Sequence, residues 1–128
     1  MFWIIICLLT IGMWNSLILH EAAHAITAKL VGAKIVEIKP WPHRYRGFWS
    51  IGKIRCRGLK RDRPFFYVAP LAKVAILYLL WLILGLFVWA PLLILIVPEV
   101  IDSAVWFRSY FRGPEEFDGA KFRLYTNR

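Results

Sequence analysis

No charged residue occurs between Phe2 and Leu19, and between Pro64 and Pro98 there is only Lys73. Acidic residues are scarce throughout, eight Asp or Glu against seventeen Lys or Arg. Runs this long and this free of charge exclude an ordinary water-soluble helix, whose outer face would carry a charge every turn or two. Cysteine is nearly lacking too. Cys7 sits in the first apolar run and Cys56 in a basic stretch, which excludes a disulfide framework, and neither looks catalytic. The N-terminus has neither the basic leader nor the small-residue cleavage site of a signal peptide. Cleavage near residue 20 would also destroy the cluster of ionisable residues described below, so the first run is expected to be retained.

What remains is apolar, aromatic and basic. The 128 residues are 59% hydrophobic, with seven tryptophans and a mean hydropathy of +0.55. That places the chain, as one domain over residues 1–128, among membrane-embedded proteins. The net charge of +9 comes mostly from residues 33–63, where ten Lys or Arg face only Glu37 and Asp62. In a soluble protein such a stretch suits nucleic acid. Beside apolar spans it marks the cytoplasmic face and its anionic lipids, so the expected partner is the lipid bilayer and not nucleic acid.

The chain reads as a mainly α integral membrane protein, with about three transmembrane helices and a short cytosolic β-hairpin between the first two. Phe2 to about Val31 is expected to form one helix, about 45 Å long at 1.5 Å per residue, with Lys29 and Gly32 marking its exit. Residues 33–39 alternate Ile and Val with Lys and Glu as a strand does, and Pro40 and Pro42 end it. A second strand is expected from Phe48 to Arg57, with Lys53, Arg55 and Arg57 on one face and Ile54 and Cys56 on the other. His43, between the two, is read as a solvated loop histidine. The hairpin's free edge suits either an extended substrate bound by strand addition or packing on lipid headgroups. Pro64 opens the second span, with Asp62 as its candidate cap, and that span runs to about Trp89. The third begins either near Pro91 or at Pro98. The positive-inside rule puts residues 85–97 outside and residues 33–63 inside, giving an N-out, C-in chain. The expected localisation is the plasma membrane of a prokaryote, with the C-terminus cytosolic.

At the inner end of the first run stands His20-Glu21-Ala22-Ala23-His24. Two histidines four residues apart on a helix point the same way, so both imidazoles can reach one metal ion, while the intervening glutamate is placed to handle a water there. This is the zinc-peptidase pattern. Ionisable groups at membrane depth are costly and so mark function. Asn15 and Ser16, a turn earlier, are read as bonding a neighbouring helix, with support of the metal ligands as the alternative.

Taken in order, these motifs resemble those of the site-2 protease family of intramembrane zinc metalloproteases. His20-Glu21-Ala22-Ala23-His24 corresponds to its HExxH helix, Ala69-Pro70-Leu71-Ala72-Lys73 is similar to its Gly-Pro-Leu-Ala-Asn signature, and Phe117-Asp118-Gly119 to its Leu-Asp-Gly motif. The resemblance spans about residues 12–122 and implies a short, minimal member of that family. It implies that His20, His24 and Asp118 bind Zn2+ and that Glu21 is the general base. Two histidines and a carboxylate, with one position left for water, are a fitting catalytic zinc site. Lys73 departs from the family's Asn, and is expected to snorkel toward the interface, with charge compensation or oxyanion stabilisation as alternatives.

Asp102 competes with Asp118 as third ligand. Depth bears on the choice: His20 lies about 27 Å below Phe2, while Asp118 lies about 30 Å down a helix starting at Pro98 and Asp102 only about 16 Å down one starting at Pro91. This favours Asp118 and leaves Asp102 open. Glu99 and the Glu115-Glu116 pair are read as surface charges. The expected function is hydrolysis of a peptide bond in a membrane-anchored or membrane-proximal protein substrate. The alternatives are a catalytically inactive relative acting as a membrane-protein binding module, and a metal-free structural membrane protein.

Overall fold

The computed structural model describes residues 1–39, 43–45, 48–50, 53–58, 63–113 and 117–126. The chain is mainly helical: α1 spans Phe2–Leu30, α2 Arg63–Phe87, α3 Ile96–Arg112 and α4 Asp118–Thr126. Three segments, Phe2–Leu30, Pro64–Phe87 and Ala90–Arg112, are long and apolar enough to cross a membrane. The third resolves the choice between Pro91 and Pro98 by using both. Pro91 lies in the first turn of a short 3-10 helix, Ala90–Leu95, which runs directly into α3, where Pro98 is third in line. A missing N–H is tolerated at both positions because the first turn of a helix has no intrahelical acceptor for it.

The helices are inside out compared with those of a soluble protein. The buried residues of α1 are Gly12, Ser16, Glu21, His24 and Ala28, all small or polar. Trp3, Ile11, Trp14 and Ile18 point outward. Burial on α2 falls on Phe66, Ala69, Pro70, Lys73 and Leu77, and on α3 on Pro98, Glu99, Trp106 and Ser109. Residues recurring every three or four positions form one stripe per helix, and here the stripes that meet the neighbours carry the buried ionisable residues Glu21, His24, Lys73 and Glu99 among small and apolar ones. Small residues let the backbones approach. A Cβ on Gly12 would come within 2.8 Å of Leu95 Cδ2 and 3.2 Å of Pro98 Cγ.

Between α1 and α2 lie four strands in two nested antiparallel pairs: β1 (Lys34–Lys39) with β4 (Lys53–Arg57), and β2 (His43–Tyr45) with β3 (Phe48–Ser50). The expected second strand thus appears as two described pieces, and His43 lies on β2, not in a loop. Arg44, Tyr45, Phe48 and Trp49 pair across β2 and β3, and aromatic residues suit a pleated surface. The register of β1 against β4 shifts by one between Ile35 and Glu37, so Val36 is bulged. Ile35, Ile54 and Cys56 pack on a small core of Ala28 and Phe66, which seats the sheet on the inner ends of α1 and α2. Burial there pushes the Cys56 thiol up, as expected of a packing cysteine and not a nucleophile. Asp62, the candidate cap of α2, lies outside the described residues.

Candidate metal centre

His20 and His24 sit one turn apart on α1, their ring centroids 5.1 Å apart. Asp118, the first residue of α4, meets both: its Oδ2 is 2.9 Å from His20 Nε2 and 2.9 Å from His24 Nε2. One ligand atom from each of the three residues can be chosen such that all lie within 4.8 Å of one another. The pairing spans 98 and 94 residues of sequence. Asp118 does not reach the site along a continued third span, as the depth reckoning assumed. Instead α3 stops at Arg112, Gly113 takes φ 81°, and α4 folds back against α3 and α2. A backbone turn with positive φ suits glycine because it has no Cβ to clash.

Gly119 makes the fold-back close. A Cβ there would overlap the Trp106 carbonyl oxygen and Ser109 Oγ, so the dipeptide Asp118-Gly119 joins a polar side chain to the one residue type that lets α4 lie directly on the α3 backbone. Burial alone would push the Asp118 carboxyl up, yet the His24 and His20 rings beside it hold it well below the usual carboxylate range.

Each histidine uses its other ring nitrogen on a fixed acceptor. His20 Nδ1 is 3.0 Å from Asp102 Oδ1 and 3.1 Å from Oδ2. His24 Nδ1 donates to the Phe66 carbonyl at 2.7 Å. With Nδ1 on its own acceptor, Nε2 of each ring faces Asp118 Oδ2, to which it donates in the absence of a metal, and a metal bound there would take the place of that proton. Asp102, weighed above as a third ligand, thus stands behind His20 and not beside Asp118.

Asp102 is held in turn. Lys73 Nζ donates to Asp102 Oδ2 at 2.6 Å and to Ser16 Oγ at 3.1 Å, and lies 2.9 Å from Glu99 Oε2. Two expectations are corrected here. Lys73 does not snorkel outward but is 8% exposed, and Glu99 is not a surface charge but 2% exposed. Both outcomes have the same reason, since Lys73 and Glu99 pair with each other inside the bundle and so neither buried charge is left without a counter-charge. The sequence carried a signal for this. A lone cation in an otherwise uncharged span needs an anion, and Glu99 and Asp102, three residues apart, share a helix face. Ser16 bonds the neighbouring helix, as read, and through Lys73 also joins the chain of contacts to His20. Glu115 and Glu116 lie outside the described residues.

Glu21 is 8% exposed, and its Oε2 has no hydrogen-bond partner among the described residues. Counted as ionised, Glu21, Glu99, Asp102 and Asp118 set four negative charges against the one positive charge of Lys73, a deficit that two protonated imidazoles or one divalent cation would reduce equally. Two imidazole nitrogens and one carboxylate oxygen, with a second carboxylate left free nearby, are a donor set that fits zinc. The cluster is most open along one edge, where the His20 and Asp118 side chains are 20% and 21% exposed against 5% for His24. Comparison with protein-family models, with curated proteins and with solved structures finds no match.

Proposed function

We propose that this chain is an integral membrane zinc metalloprotease that hydrolyses a peptide bond in a membrane-anchored or membrane-proximal protein near the cytosolic face. The observation that carries the reading is the convergence of His20 Nε2 and His24 Nε2 on Asp118 Oδ2, with Glu21 Oε2 buried and lacking a hydrogen-bond partner among the described residues. His20, His24 and Asp118 would hold the ion, and Glu21 would be the general base. Zinc, when bound, supplies Lewis acidity toward a water and toward the peptide carbonyl. Glu21 takes the proton of the attacking water and gives it to the leaving amine, a role open to a carboxylate whose oxygen is not already engaged. His20 and Asp118 line the exposed edge, from which an extended segment of substrate enters. The outer edges of β1 and β4 are unpaired among the described residues, and such edges suit an extended substrate that adds as a strand.

The departure at Lys73, which lent weight to an inactive binding module, has another employment here. Its charge is taken up by Glu99 and Asp102, so it need not weaken the site. Metal analysis of the purified protein, paired with cleavage of a membrane-anchored reporter by wild type and Glu21→Gln, tests the reading. One zinc per chain in both proteins and cleavage by the wild type alone are expected. The amide is nearly isosteric but cannot accept the proton. Zinc-free wild type, or a Glu21→Gln variant with unchanged turnover, would reject it.

A further inference from the structure

α2 carries Pro70 in its interior, and a proline has no N–H to donate one turn back. In an unbroken helix the N–H of residue 70 would occupy the carbonyl of Phe66. That carbonyl is the acceptor of His24 Nδ1, at 2.7 Å. The next one, of Tyr67, accepts from Trp106 Nε1 at 2.8 Å. Two successive backbone oxygens a turn ahead of the proline are therefore directed at side chains of α1 and α3. Pro70 is fully buried, and the Phe66 side chain is 4% exposed. A carbonyl in such surroundings needs a donor, and His24 Nδ1 supplies one.

We propose that Pro70 is a positioning residue for the zinc site: by withholding an N–H it leaves the Phe66 carbonyl to His24 Nδ1–H, which holds the ring with Nε2 toward Asp118. This rests on the zinc reading above. An imidazole has two nitrogens and a ring that can turn over. A buried acceptor on one nitrogen fixes both the tautomer and the orientation before any ion arrives. Alanine at 70 would restore the helical donor, which then competes with His24 for the same carbonyl.

The test compares wild type and Pro70→Ala, each as the full chain in detergent, for zinc affinity against a competing chelator and for thermal unfolding. Zinc binding about tenfold to a hundredfold weaker is expected, with a melting temperature unchanged or raised, because the helix regains a hydrogen bond. A folded Pro70→Ala protein with wild-type zinc affinity overturns the proposal. Nitrogen-15 resonances of His24 in the wild type supply a measurement that does not depend on the variant's folding. A protonated Nδ1 is expected with and without zinc, and an unprotonated one overturns the proposal. Should the wild type bind no zinc, the metalloprotease reading falls separately. The Nδ1 hydrogen bond of His24 then still decides about Pro70: it is expected to weaken in Pro70→Ala, and an unchanged bond overturns the proposal.

Discussion

Asp102 and Asp118 carry the same carboxylate and approach the same histidine, yet from opposite sides of its ring: Asp102 at Nδ1 and Asp118 at Nε2. Only Asp118 also reaches His24. Their asparagine variants should therefore separate by degree. Asp118→Asn replaces an anionic donor by a neutral amide and should weaken zinc binding by more than about a hundredfold. Asp102→Asn keeps an acceptor for His20 and should cost about tenfold. Competition with a chelator measures both, and equal losses, or a larger loss at Asp102, would exchange their roles. The first three site residues were readable from the sequence because they lie within five positions of one helix, where 3.6 residues per turn fixes their mutual direction. Asp118 could be placed only through its resemblance and a depth estimate, since its contacts cross most of the chain. The expectations of a snorkelling Lys73 and a surface Glu99 fail for the same physical reason, that each weighs one charge alone. Lys73 takes the alternative named for it, offsetting buried carboxylates, by pairing with Glu99 and Asp102.

At the scale of the element, α4 is the least self-sufficient piece of the molecule. Nine residues are too few to hold a helix alone, so its position comes from packing. Ala120 is 4% exposed, Phe122 meets Trp106 at 5.4 Å between ring centroids, and Tyr125 stacks on Tyr67 at 5.7 Å. The three spans were legible because each is a long uncharged run. α4 was not, being short and mixed in polarity, and neither was the 3-10 helix, because Pro91 within it and Pro98 just beyond it, in α3, gave competing starts. Gly119 sets the distance between α4 and α3, and Gly119→Ala should push the two apart at a cost of about 1–3 kcal/mol. Because Asp118 is its neighbour, zinc affinity should fall about as far as in Asp118→Asn while the helical circular dichroism stays that of wild type. A Gly119→Ala protein that binds zinc normally would mean that α4 is not the element that delivers the ligand.

For the molecule as a whole, the ionisable residues Glu21, His24, Lys73 and Glu99 are buried between helices while large apolar residues such as Trp3, Trp14, Ile76 and Leu79 are exposed. Such an outer surface suits hydrocarbon, and the two ends of the helices differ in the charge of the sequence next to them. Residues 33–63 include ten Lys or Arg in the sequence, whereas residues 85–97 include none. The β1–β4 sheet is seated on the ends of α1 and α2 beside His24, through Ala28 and Phe66. The candidate metal centre and the β1–β4 sheet, whose strands belong to the basic stretch, therefore share one end of the bundle. The positive-inside rule predicts that the basic residues stay on the cytoplasmic side, and for a three-span chain it therefore predicts an N-terminus outside and α4 inside with Asp118. The orientation is thus tied to the chemistry, because a chain inserted the other way would open the exposed edge of the site toward the outside. Single cysteines at Arg46 and at Val88, in a background with Cys7 and Cys56 changed to serine, report it. A membrane-impermeant thiol reagent added to intact cells should label the cysteine at position 88 and leave that at 46 untouched until the membrane is opened. Labelling at 46 from outside would invert the topology, and with it the face of the membrane on which a substrate is cut.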